Sequence, residues 1–236
     1  MHLIGLALTL ANPAPTLAVD GLIIGSYQNK KWVAASDKLP TWKNVSFQKI
    51  GFGSVGKSYK VKGAVIMEMT GCPYLNFTDN MPRGALWSGP KPSFSRKASA
   101  VTPTAADQAA VKKMLTEKGT EITPLKMGAV ISGDFDGDGK TDRIIQCRSV
   151  RKGDYDEKGD WMMVLYLQGG KKPVTISWES MNEAEGIGEA APVAVGDFDR
   201  DGAMDLVISI SYIEGGGGQI WSLKKTGPKL LMEKMG

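Results

Sequence analysis

Apolar and polar positions alternate along most of the chain, in short runs broken by Gly, Pro, Asn, Asp and Ser. This is the signature of half-buried β-strands. GLIIGSYQNKKWVAAS, NVSFQKIGFG and KSYKVKGAVIMEMTG carry the alternation and predict a small β domain over residues 19–82. Ahead of them, MHLIGLALTLANPAPTLAVDG has an apolar core at residues 3–10, a Pro-containing polar stretch and a small residue at Ala18. Residues 1–18 fit a secretory signal in this respect, although the start offers only His2 and neither Lys nor Arg. A buried first strand is the other reading of the same composition. Residues 83–102 contain RGALWSGPKPSFSRKASA and, being rich in Ser, Pro, Gly and Lys, predict a linker.

One window has the helical period instead. VTPTAADQAAVKKMLTEKG sets apolar residues at Ala106, Ala110, Val111, Met114 and Leu115, with a Thr cap and Pro103 at its start and Gly119 at its end. A helix and its connection are expected over residues 103–124, with the apolar face against the sheets that follow.

Residues 125–236 hold a repeat. GDFDGDGKTD at residues 133–142 returns sixty-three residues later as GDFDRDGAMD at 196–205. MGAVIS and APVAVG lead into the two loops, and RIIQCRSV and LVISISYI lead out, all strand-like. Downstream, WMMVLYLQGGKKPVTISW predicts a hairpin turning at Gly169 and Gly170, and GQIWSLKKTGPKLLMEK one turning near Gly227 and Pro228. Each unit therefore reads as four strands in about 60 residues, the size of a propeller blade. The fold class expected is mainly β: two blade-like four-stranded repeats with Asp-rich loops, one helix and a small N-terminal β domain.

The loops specify their own chemistry. Carboxylates stand at positions 1, 3, 5 and 9, a backbone carbonyl is available at position 7, and Gly at position 6 permits a sharp turn. In the first loop these are Asp134, Asp136, Asp138, Asp142, the carbonyl of Lys140, and Gly139. In the second they are Asp197, Asp199, Asp201, Asp205, the carbonyl of Ala203, and Gly202. So many hard oxygen donors on one flexible loop suit Ca2+ better than Mg2+ or a transition metal, and two ions are expected. An EF-hand needs a Glu at position 12 between helices, whereas Ile145 and Ile208 stand there between strands. Both loops resemble the D-x-D-x-D-G-x-x-D calcium loops of the FG-GAP/VCBS-type repeats found in integrin α-chain propellers and in many bacterial exported proteins. The resemblance covers about residues 125–236. With two repeats it implies a partial propeller, a propeller completed by N-terminal blades, or two packed sheets.

Charge divides the chain. Residues 20–127 hold 16 basic and 7 acidic side chains, a net +9, and residues 128–236 hold 13 and 18, a net −5. Within residues 20–100 the excess is 12 over 4. A basic, aromatic-bearing β surface suits an anionic polymer or a cell-surface ligand, and lysines that merely keep the domain in solution are the simpler reading. No apolar run reaches the ~18 residues a membrane-spanning helix needs. Loss of residues 1–18 would remove His2, the sole histidine, and with it any Ser-His-Asp or Cys-His nucleophile and any His-ligated zinc site.

Four further features compete for a role. Residues 51–58, GFGSVGKS, satisfy the phosphate-loop pattern, but the following SYKVKGAVIMEM alternates like a strand where a helix is required, so no nucleotide is expected. Glu183, Glu185 and Glu189, with Asp154, Asp156, Glu157 and Asp160, lie on predicted connections; a pair of them at the right separation could cleave a glycosidic bond. Cys72 and Cys147 fit either one disulfide or two small buried apolar side chains. Residues 215–218, GGGG, read as slack between strands. The expected function is that of an exported binding or surface-interaction module with structural Ca2+, secreted, periplasmic or at the cell surface, and not an enzyme. The alternative is a secreted, carboxylate-dependent hydrolase of a cell-wall or carbohydrate polymer.

Overall fold

A computed structural model describes residues 14–35, 42, 45–68, 70–78, 80–94, 96–120, 124–150, 160–180, 189–212 and 215–236. Within them the mainly β architecture expected from the alternation is present: sixteen strands in three sheets, and one helix. No described helix is long and apolar enough to cross a membrane.

The first sheet closes on itself. It contains β1 (Thr16–Val19), β2 (Leu22–Gln28), β3 (Lys31–Ala34), β4 (Ser46–Ile50), β5 (Val55–Ile66), β6 (Pro73–Phe77) and β7 (Ala85–Trp87). The order β1-β7-β4-β5-β6-β2 returns to β1 through a β1–β2 pairing, giving a six-stranded ring with β3 added on β2. Each strand of the ring sends a side chain to one interior cluster, formed by Ala18, Ile23, Phe47, Val61, Leu75, Phe77 and Leu86, with Trp42 packed on it. The outward residues of β1 and β2, Leu17, Val19, Leu22 and Ile24, are buried as well, against another sheet.

That double burial moves two expected boundaries. Thr16–Val19 is wholly buried on both faces and pairs with β2 and β7. The boundary at residue 18 therefore falls inside a strand of the ring, and residues 1–13 lie outside the described residues. The apolar run at residues 3–10 that carries the signal reading lies among residues 1–13. The segment 83–102 is likewise not a plain linker, because it contributes β7 to the ring and β8 (Ser99–Val101) to the next sheet. Trp87 at 1% exposure anchors it.

The repeat forms two antiparallel sheets. β9 (Leu125–Gly133), β10 (Asp142–Ser149), β11 (Trp161–Leu167) and β12 (Val174–Ser180) make the first copy, widened by β8 on β9. β13 (Glu189–Gly196), β14 (Met204–Ser211), β15 (Gly216–Lys224) and β16 (Gly227–Met235) make the second. Ile131, Ile144, Val164 and Tyr166 of the first pack on Ala190, Leu206, Ile208 and Leu223 of the second. The opposite face of the second sheet, with Ala194, Val207 and Ile220, packs on the outside of the ring. Of the architectures the repeat implied, two packed sheets is the one observed.

Helix α1 (Ala105–Glu117) covers the free face of the first repeat sheet through Val111, Met114 and Leu115. Thr104 caps it, with a reciprocal bond pair to Asp107. Asp107 is buried and grips Arg143 through Oδ1–Nε and Oδ2–Nη2 contacts of 2.6 and 2.7 Å, fixing the helix one residue from Asp142. Burial alone would push the Asp107 carboxyl up, but the bonds from Thr104 and Arg143 outweigh it and hold the group below its ordinary value. The two repeat sheets are thus capped by a helix at one end and by the ring at the other, as stacked repeats with exposed apolar ends require.

Other expectations are settled by strand assignments. No helix opens at Lys57, which stands in β5, so residues 51–58 form a hairpin corner and cannot present a phosphate loop. Cys72, just before β6, and Cys147, in β10, are free and buried, and burial pushes the Cys147 thiol up to about 12. Residues 216–218 are not slack: they begin β15 and pair with Ser211, Ile210 and Ser209. A Cβ on Gly218 would lie 2.9 Å from Ile24 Cδ1 and 3.1 Å from Val19 Cγ2, so this glycine lets the ring press on the second repeat sheet. Gly218→Ala is expected to lower unfolding stability by about 1–3 kcal/mol in a urea titration, the usual cost of overpacking. Gly63→Ala, where a Cβ meets nothing within 4 Å, is expected to stay within about 0.5 kcal/mol of the parent.

Candidate metal centre

Each Asp loop bridges two strands closed by a Gly–Asp pair, Gly133 with Asp142 and Gly196 with Asp205. Between these ends the chain winds through a series of Asx turns. In the first loop the Asp134 carboxylate accepts from the backbone N–H of Gly137 and Gly139, Asp136 from Asp138, and Asp138 from Lys140, at 2.8–3.2 Å. In the second, Asp197 accepts from Gly202, Asp199 from Asp201, and Asp201 from Ala203, at 2.9–3.2 Å. The Lys140 and Ala203 backbones thus lie in the turns that Asp138 and Asp201 organise. Positive φ is needed at position 4 as well as at position 6: Gly137 at 76° and Gly139 at 83°, Arg200 at 59° and Gly202 at 88°. Arg200 therefore carries backbone strain that its counterpart Gly137 does not.

The turns bring carboxylates together. One oxygen from each of Asp134, Asp136 and Asp138 lies within 4.8 Å of the others, and the same holds for Asp197, Asp199 and Asp205. The two groups are not superimposable sets. In the first loop the outlier is Asp142, whose Oδ2 accepts from Phe135 N, Asp136 N and Tyr166 Oη and whose Oδ1 accepts from Gly169 N, at 2.8–3.4 Å. In the second the outlier is Asp201, whose Oδ2 lies 2.7 Å from Lys224 Nζ.

Electrostatics separate the loops further. Asp197 Oδ1 and Asp205 Oδ1 are buried without a hydrogen-bond partner, and so is Oγ of Ser222, which stands opposite Asp205 in the register. Burial, followed by the charge of Asp199, drives the Asp205 carboxyl well above its ordinary value. Burial together with Asp201 and Asp197 pushes Asp199 up to about 6, and burial also raises Asp197. Asp201 moves the other way, because Lys224 more than offsets its burial. Asp142 is raised by burial against its hydrogen bonds. Two orphaned carboxylate oxygens inside an all-oxygen donor set are what a hard cation would satisfy, so the second loop fits a metal ion on its own geometry. The first fits by its matching cluster. Both Asp groups can hold metal ions.

Several contributors were not foreseen. Tyr166, Gln168, Arg96 and Lys224 all touch a loop. The signal available was their position: Tyr166, Gln168 and Lys224 sit at or just past the end of the third strand of a repeat, beside the loop mouth. Ser93 and Arg96, between β7 and β8, reach one loop each. Ser93 pairs with Asp197, and Arg96 Nη1 donates to the Phe135 carbonyl at 3.1 Å. Of the carboxylates weighed for hydrolysis, Asp160 accepts from Ser149 Oγ at 2.8 Å and Glu189 lies 3.6 Å from Arg148. Asp154, Asp156, Glu157, Glu183 and Glu185 lie outside the described residues.

The family model of the FG-GAP-like repeat matches residues 134–208, from the first aspartate of the first loop to the middle of β14. This segment is thus an FG-GAP-type repeat, as the resemblance implied. No curated protein and no solved structure is significantly similar to the chain.

Two predictions follow from the contrast between Asp142 and Asp205. In chelator, Asp205→Asn is expected to raise the melting temperature by several degrees, since it removes a buried charge worth about 1–2 kcal/mol of strain. Asp142→Asn sets an amide donor among four existing donors, and should lower stability by about 1–3 kcal/mol. Thermal unfolding of both variants decides the point; equal effects would mean that the loops are electrostatically alike. The pH dependence follows from the raised groups. Folded carboxyls above their unfolded value of about 4 hold more protons in the native state, so stability falls as pH rises from about 4 through the Asp199 value near 6. Asp107, depressed in the fold, loses its contribution only below that window. A metal-free melting temperature that climbs between pH 4.5 and 7 would contradict the assignment.

Proposed function

We propose that the protein is an exported binding module whose two repeat sheets are locked by structural Ca2+, one ion in each Asp loop. The observation that carries the reading is the pair of buried, unpartnered oxygens on Asp197 and Asp205, in a loop that recurs with the same spacing around Asp134, Asp136 and Asp138. Asp142 and Asp201, with the carbonyls of Lys140 and Ala203, would complete the two shells. When bound, each ion supplies charge neutralisation and holds its turn. Two ions would change the acidic half from −5 to −1, relieving its self-repulsion.

The binding face we assign is on the ring. Lys49 on β4 and Lys57, Lys60 and Lys62 on β5 are exposed, and the net charge of residues 20–100 is +8. An anionic polymer of the cell surface is the partner whose chemistry suits that face. We assign the protein no catalytic step. Export agrees with the extracellular setting typical of FG-GAP repeats.

Calorimetric titration with Ca2+ tests the reading. Two ions per chain are expected, with a rise in melting temperature of roughly 5–10 °C at a hundredfold excess over Kd. Asp199→Ala should leave one ion. Absence of both heat and thermal shift would end the proposal. For the partner, Lys60→Gln with Lys62→Gln should weaken retention on a polyanionic resin and flatten its salt dependence, while Ca2+ binding stays unchanged.

A further inference from the structure

The two Asp loops are bonded to each other through residues that flank or touch candidate ligands. Phe135 lies between Asp134 and Asp136, and its carbonyl accepts from the N–H of Met204, the residue before Asp205, at 3.2 Å. A second path uses side chains. Gln168 is 4% exposed and donates from Nε2 to Asp136 Oδ2 and to the carbonyls of Lys224 and Lys225, the latter two at 3.3 and 3.1 Å. Its two amide hydrogens are thus shared among three acceptors, all on the loop-bearing ends of the two sheets. Lys171 Nζ also reaches the Lys225 carbonyl. Lys224 completes the path, with its ammonium on Asp201.

We propose that Gln168 is a positioning residue that couples the two cation sites, so that filling one strengthens binding at the other. The path is Asp136–Gln168–Lys224–Asp201. It starts on a carboxylate of the first loop, passes through the carbonyl and side chain of Lys224 at the end of β15, and ends on a carboxylate of the second. An ion that fixes Asp136 also fixes the amide bonded to it, because a ligand carboxylate keeps its outer hydrogen bond while it binds. The fixed amide holds the two carbonyls, and with them the base of Lys224. The second ion then meets a loop whose ordering cost is already met, which is positive cooperativity without any large movement. By reciprocity the second site strengthens the first to the same degree. This coupling rests on the cation reading above.

The test is a double-mutant cycle read by Ca2+ calorimetry. Asp138→Asn removes a ligand charge from the first loop and leaves the backbone N–H that Asp138 donates to Asp136 in place, while its side chain bonds to Lys140 and to no member of the path. It is expected to leave one ion, held in the second loop about fivefold or more weaker than in the parent with both sites filled. Gln168→Met should still bind two ions, with most of the coupling gone, and in that background Asp138→Asn should no longer weaken the second site. Lys224→Met cuts the same path at an exposed position and should reproduce the loss. A purely structural glutamine would lower both affinities and leave the coupling intact, which would overturn the proposal. Two ions that bind independently in the parent would overturn it while sparing the cation reading. Absence of any Ca2+ binding would overturn both.

Discussion

The second repeat sheet is covered on both faces at its central strands β14 and β15, and much of the molecule is arranged around that constraint. Its strands send Leu206, Ile208 and Leu223 into the first repeat sheet and Val207 and Ile220 into the ring. Strands buried on both faces exclude charge from their interiors, as β14 and β15 do, whereas the edge strand β16 is partly exposed and carries Lys229, Glu233 and Lys234. Double burial also forces close approach, which Gly218 meets by having no side chain where Val19 and Ile24 arrive. The shared Phe of the two loops serves the same packing. Phe135 fills the seam between the repeat sheets, and Phe198 fills the seam to the ring, its ring centroid 5.5 Å from that of Trp87.

Each loop therefore sets a run of aspartates at the edge of an apolar seam, and the two copies solve the problem differently. The first gives its last aspartate, Asp142, four donors, one of them a tyrosine hydroxyl from β11. The second leaves Asp205 with a single backbone donor at 3.0 Å from Phe198 N and an unpartnered oxygen. Lys224 neutralises Asp201 nearby but lies on the outer side of the loop, at 45% exposure. A repeat that keeps its spacing has thus diverged in its electrostatics. Both loops are wound by hydrogen bonds to their backbones, but only in the first are both oxygens of the last aspartate satisfied.

The segment between ring and repeats shows how composition misleads when tertiary contacts supply the order. Its Ser, Pro, Gly and Lys content is that of a linker, yet it contributes two short strands and a contact to each loop. Three-residue strands such as β7 and β8 have too little sequence to announce themselves. They are held by neighbours that were themselves legible, β4 and β9. Arg96 gives no local sign of its role, because the carbonyl it binds is 39 residues away.

By itself the sequence determined the mainly β class, the helix with its Thr cap, the duplicated Asp loop and the strands on either side of it. All of these depend on residues close together in the chain, where period, capping and turn chemistry act directly. Tertiary structure alone decided that the repeats stack as two sheets capped by a ring and a helix. It also decided that Thr16–Val19 is a strand, that Gly216 to Gly218 are paired, and that Asp142 and Asp205 differ. Those outcomes depend on which surface meets which across the core. Burial and the supply of hydrogen-bond donors are properties of that meeting, so two loops with the same aspartate spacing acquire different hydrogen bonding around their last aspartate.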